Sequence, residues 1–263
     1  LNVTINQKTK KIMQQLNLSI CGSDRTKASF EEVLAVQTPQ KTETWTPVSH
    51  GFLIDQTKKK LDENGFDVVD ENHNLARFGQ RYFGLMQVQD RSAPENPDRA
   101  TIVGLRNGHD KCFPAGIMAG DAPFVCSNLI FNNEIVIARR HTKNIDNINV
   151  AGNIFHKIAN AIGQLRESWV AQEKRVDAYK EYDVSSNKEA NDLIIRGFQS
   201  GACNKTQIAD IVGQWGTPNH NEFKDRNLYS LYNSFTEVWK GNLLKLPKQS
   251  TQLHALFDSV AGV

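Results

Sequence analysis

Apolar positions change their spacing twice along the chain, and the changes divide it into elements. Ile5, Ile12, Met13, Leu16 and Ile20 recur at a spacing that predicts a helix over the first twenty residues, with Lys8, Lys10 and Lys11 on its open side. Those lysines read as a solvated face or as phosphate contacts. Cys21 to Ala28 predicts a loop, and Ser29-Phe30-Glu31-Glu32 opens a short helix or strand ending before Pro39. Trp45 to His50 then leads into a clear helix. Ser49 is its N-cap, Phe52, Leu53, Ile54 and Leu61 are its apolar positions, and Asn64-Gly65 stops it.

From Phe66 the period shortens to that of strands. Phe66 to Asp70 and Leu75 to Gln80, separated by Glu71-Asn72-His73-Asn74, predict a hairpin, and Tyr82 to Val88 a further strand. Ser92 to Asp98, with Pro94 and Pro97, is a loop. Thr101 to Leu105 reads as a buried strand ending in a polar turn that carries Arg106, His109, Asp110 and Lys111. Ala122 to Asn128 and Glu134 to Ala138 are strand-length runs, the second followed by Arg139-Arg140-His141-Thr142.

After about Asn147 the helical period takes over. Ile154, Ile158, Leu165 and Trp169 predict one long helix reaching Tyr182, followed by Asn187 to Gln199, stopped at Gly201. Asn204 and Gln207 form a capping box for Lys205 to Trp215, Gly216-Thr217-Pro218 breaks the chain, and Asn227 to Lys240 and Thr251 to Val260 are the last helices. Strands first and helices afterwards predict an α+β fold, with a mainly antiparallel sheet in residues 66–142 and a helical C-terminal half. Residues 1–44 read as an arm with short elements, 45–146 as a mixed helix and sheet core, and 147–263 as a helical region packed on the sheet, together one composite domain.

Composition narrows the functional classes. With 31 lysines and arginines against 29 acidic residues, the net charge of +2 gives no molecule-wide attraction for a polyanion, so any affinity for phosphate must come from local clusters. Cys21, Cys112, Cys126 and Cys203 form no CxxC pair, which favours reduced thiols over a zinc site. The apolar runs fall short of the roughly 20 residues of a membrane-spanning helix, and residues 1–20 lack the pattern of a secretion signal. The expectation is a soluble cytoplasmic protein.

Four clusters combine cations with rings, as a single-strand binder requires. Arg139, Arg140, His141 and Lys143 follow a strand and read equally as an exposed basic strand end. Arg106, His109 and Lys111 share a turn with Asp110, which can pair one of them. In Arg77, Phe78, Arg81, Tyr82 and Phe83, arginines and rings interleave, although strand alternation assigns one set of rings to the core. Lys174, Arg175, Tyr179, Lys180 and Tyr182 lie among Glu173, Asp177 and Glu181 on a helix, where salt pairing on a solvated face competes.

Enzyme readings find less support. His109-Asp110 with Cys112 or Cys126 lacks an oxyanion loop or nucleophile elbow, and Asp110, Asp121 and Glu134 are too dispersed for a metal centre. The chain carries no GxxxxGK[ST] and no GxGxxG, so no metal or other cofactor is expected. Lys205 to Val212 has the look of a first helix of a helix-turn-helix, but the break at Gly216-Thr217-Pro218-Asn219 is longer than the tight turn of that motif.

Gly104-Leu105-Arg106-Asn107-Gly108-His109-Asp110-Lys111, Phe124-Val125-Cys126-Ser127-Asn128, and the helix with Asn227, Asn233, Thr236 and Glu237 carry a resemblance. Over roughly residues 45–240 they resemble the phage/plasmid-like protein family of unknown function. The chain is also similar to the single-stranded-DNA-binding RNA polymerase cofactors of lytic phages related to coliphage N-four. That resemblance implies a non-enzymatic protein that binds single-stranded DNA and serves transcription, by recruiting a phage RNA polymerase, or replication. The alternatives are a nucleic-acid-processing enzyme of a mobile element and a host-targeting interaction protein. A self-complementary face on the helix from Asn147 would permit a homo-oligomer. The polar residues of the late helix are expected to find partners near His109, since buried polar groups must be paired.

Overall fold

The computed structural model describes residues 25–93, 99–112, 114–123, 130–136, 148–239 and 245–263. Six strands pair antiparallel in chain order: β1 (Arg25–Ala28), β2 (Phe66–Ala76), β3 (Arg81–Asp90), β4 (Arg99–Gly108), β5 (Gly116–Pro123) and β6 (Ile130–Val136). The expected α+β class holds, with the helices concentrated in the C-terminal half.

Both faces of the sheet are covered. On β3, Phe83 and Leu85 enter one apolar cluster while Tyr82, Met86 and Val88 enter a second. On β4, Ala100 and Ile102 face the first, and Val103 and Leu105 the second. Two-sided burial explains why Tyr82 to Val88 is an unbroken buried run, where a half-solvated strand would alternate.

The second cluster is roofed by α1 (Phe30–Leu34), α2 (His50–Glu63) and α3 (Ile148–Gly163), through Val33, Leu53, Ile54, Leu61, Ile158 and Ile162. Opposite lie α5 (Asn187–Ser200), α6 (Ile208–Gly216), α7 (Leu228–Trp239) and α8 (Leu246–Ala261). Between them, α4 (Leu165–Glu181) belongs to both layers. Its Leu165 and Trp169 join the second cluster and its Val176 and Tyr179 the first. Trp169 donates to the Gly120 carbonyl at 2.9 Å, which fastens α4 to β5.

Local signals set the helix ends. Ser29 and Glu32 form a capping box on α1, Ser49 accepts from the Phe52 N–H at the start of α2, and Ser186 accepts from Glu189 at the start of α5. Asn204 and Gln207 cap a single 3₁₀ turn, Lys205–Gln207, that leads into α6. Gly201 closes α5 at φ 83°, a left-handed geometry that glycine adopts without a Cβ penalty.

Several boundaries differ from the sequence expectations. The expected hairpin at 71–74 is the middle of β2, where Asn72, His73 and Asn74 pair with Leu85, Gly84 and Phe83; the reversal comes at 77–80. That polar run resembles a turn, yet here the side chains of Glu71 and His73 are bonded within the fold. β4 runs on through Arg106, Asn107 and Gly108, so the polar turn begins only at His109. β5 runs Gly116–Pro123, so it holds only the first two residues of the expected strand 122–128; its small residues carry little strand period, and residues 124–128 lie outside the described residues. The predicted long helix is broken at Gln164 into α3 and α4. α8 begins at Leu246, since Pro247 fits a first helical turn, which needs no backbone donor there.

Candidate nucleic-acid interface

The most exposed large apolar side chain among the described residues is Phe78, at 96%. It sits in the β2–β3 turn, where Arg77, Phe78 and Gly79 all have positive φ, 55°, 54° and 80°. Glycine takes that conformation freely, whereas a residue with a Cβ loses about 1–2 kcal/mol in it. Two consecutive side-chain-bearing residues held there are strained, and a solvent-exposed phenyl ring recovers nothing from packing.

Buried groups hold this turn from below. The Gln80 N–H donates to the Arg77 carbonyl, the His109 N–H donates to the Gln80 carbonyl at 2.7 Å, and His50 Nε2 donates to the Gly79 carbonyl at 2.9 Å. His50 opens α2 and its ring stacks on His109, centroids 3.9 Å apart and 7° from parallel. The Asn107 amide donates to the Val48 carbonyl and to His50 Nδ1, which puts the single ring proton of His50 on Nε2. His109 Nε2 bonds the Val48 carbonyl at 2.8 Å. Burial, reinforced by the neighbouring His109, holds the His50 imidazole down to about 3. His109 is also shifted down, chiefly by burial. Both rings are therefore neutral struts in this arrangement.

A second polar chain lies alongside. The Tyr82 hydroxyl is 2.9 Å from His73 Nδ1, His73 Nε2 faces Glu71 at 3.4 Å, and Lys58 pairs with Glu71 at 2.7 Å. Those partners, His73 first, pull the Glu71 carboxyl down to about 2. The space for the Tyr82 hydroxyl exists because residue 84 is glycine: a Cβ there would lie 2.0 Å from that oxygen.

The residues singled out in the sequence are distributed unevenly around this turn. Arg77 is exposed beside Phe78. Lys111, also exposed, has its ammonium 4.8 Å from the Trp45 ring centroid, in the loop that starts beside the turn at His109. Three others do not serve as surface contacts. Tyr82 is 0% exposed, because helices cover the face on which alternation would otherwise leave a ring in water. Arg106 is 8% exposed within β4, and His109 is buried against Val48 and His50.

Two more arginines are engaged by acids. Arg81 pairs with Asp110 at 2.5 Å and donates to Cys112 Sγ. Arg175 makes two bonds to Asp258, tying α4 to α8. Lys174 is exposed on α4. Arg139, Arg140, His141 and Lys143 lie outside the described residues.

The late helix finds its polar partners mostly within its own segment, not at His109. Asn227 accepts from the Ser230 N–H, the Asn233 amide donates to the Tyr229 carbonyl, and the Thr236 hydroxyl donates to the Asn233 carbonyl. Glu237 accepts from the Asn219 amide. Helix geometry brings a side chain level with the carbonyl three or four residues earlier, so these groups are satisfied locally.

Sequence reading missed the histidine struts, His50 and His73, and undervalued Phe78 by grouping it with strand rings. The available signal was Gly79, an isolated glycine inside the expected strand Leu75 to Gln80, which marks an irregularity that takes the neighbouring ring out of the alternating pattern.

The geometry defines an α+β protein with a two-sided antiparallel sheet and a rigid, ring-bearing turn at one end of β2 and β3. No protein-family model, curated protein or solved structure matches the chain.

Proposed function

We propose that this is a non-enzymatic single-stranded-DNA-binding protein of the phage type. It works in the cytoplasm of an infected bacterium, serving transcription by bringing an RNA polymerase to exposed strand, or serving replication. The observation that carries the reading is the pairing of Phe78, 96% exposed, with the exposed Arg77 on a turn held from inside the fold. A flexible polyanion with unstacked bases offers both things such a turn can use, a π-face for the ring and a phosphate for the guanidinium. Lys111 adds a cation on the adjoining loop. No described helix is long and apolar enough to cross a membrane.

Titration of a labelled single-stranded oligonucleotide, with its duplex as control, across a salt series tests the proposal. The expected result is a preference for the single strand and a steep fall in affinity with salt. Replacing Arg77 by alanine flattens that slope by about one counterion while weakening binding to all sequences alike. Product formation that requires Mg²⁺ would instead support a processing enzyme, and absence of binding at low salt a host-directed interaction protein.

A further inference from the structure

Resting on the single-strand reading above, we infer that Phe78 inserts between two successive bases of the bound strand instead of serving as a one-sided stacking surface. The distinction follows from its exposure. A ring laid against the protein has one face covered and can meet one base. At 96% exposure both faces of Phe78 are open, so a base can stack on each.

Two further observations favour insertion. The turn is fixed at its base by His50 and His109, which bond the Gly79 and Gln80 carbonyls, so the ring projects from a support that resists deflection. Gly79 itself lies close to Val36, where an added Cβ would fall 3.1 Å from a methyl carbon. Second, phenylalanine is an unfavourable choice for position 78 on stability grounds, because its backbone is left-handed and its ring touches little. A residue that disfavours the folded chain and packs on nothing within it acts on something outside. Apolar side chains driven between base steps are an established way for proteins to part neighbouring bases. Arg77, adjacent in the chain, is placed to hold the phosphate beside the parted step.

The test uses the full chain and an adenine-rich oligodeoxynucleotide of about 16 nucleotides, the upper site size of one single-strand-binding module. 2-Aminopurine replaces some of its adenines. Its fluorescence is quenched by stacking on a neighbouring nucleobase, through an electron transfer that a phenyl ring supports poorly, and rises when that base is parted and a phenyl ring takes its place. Wild-type protein at saturation is expected to raise the emission. Phe78→Ala, which removes both the π-face and the wedge, is expected to bind about 5- to 150-fold more weakly and to leave the emission low once saturated, the range set by one lost stack. Phe78→Gly is expected to lose affinity similarly while melting about 2–4 °C higher, since strain is released.

A wild-type protein that binds with unchanged emission, or a Phe78→Ala variant that binds and brightens the probe like wild type, overturns insertion and leaves strand binding standing. A wild-type protein that fails to bind the strand overturns both. Phe78→Gly melting lower than wild type overturns the claim that residue 78 is held against stability.

Discussion

His50 accepts from Asn107 at one ring nitrogen and donates to Gly79 at the other, so a second ring proton costs it a bond inside the fold. Its folded pKa, about 3, lies below the ordinary 6.5, so in that interval the unfolded chain binds the extra proton and the folded chain does not. Stability is therefore complete above pH 6.5 and declines as the pH falls toward 3, at about 1.4 kcal/mol per unit for this one group. Glu71 adds to the loss only from its ordinary 4.5 down to about 2, so the decline between pH 6.5 and 5 is assigned to His50 and His109. Urea unfolding across that range is expected to show the slope, and His50→Gln to reduce it. At this scale the sequence was least informative. Cap residues such as Ser49 and Asn204 were legible because capping is local, whereas the bonds of His50 and His73 join residues 9 to 57 positions apart.

The helices were legible from their period, and α7 shows both the strength and the limit of that signal. Leu228, Leu231, Tyr232, Phe235 and Trp239 are buried at the expected spacing, yet Ser230, Asn233, Ser234 and Thr236 are buried as well, their hydroxyls and amide turned mostly to their own helix backbone. Its contact with α5 depends on a single glycine. A Cβ on Gly197 would fall 2.9 Å from two carbons of the fully buried Phe235 ring. Gly197→Ala is expected to destabilise the protein by about 1–3 kcal/mol despite its higher helix propensity, which chemical denaturation would measure. The strands were harder to place. A polar run inside β2 looked like a turn, and the small residues of β5 carried little period.

Across the whole molecule the sequence showed an α+β order but not that the sheet is covered on both faces, which is settled by where distant helices dock. Much of the expected cationic surface depended on the same unknown. Arg81 and Arg175 meet aspartates brought from 29 and 83 residues away, and Tyr82 disappears under α2. Because α4 contributes to both clusters and is fastened to β5 through Trp169, neither layer can loosen alone. Unfolding is expected to be a single transition, with variants retaining only Trp169 or only Trp239 as fluorophore giving coincident denaturation curves. Separate midpoints for the two would show that the layers melt independently.

The struts under the β2–β3 turn also bear on the kinetics of recognition. With the Gly79 and Gln80 carbonyls already committed to His50 and His109, the tip has no loop to rearrange when a ligand arrives. On the proposed reading, little chain entropy would be lost there on contact, and occupancy would be governed by how often a strand meets the tip and how long it stays.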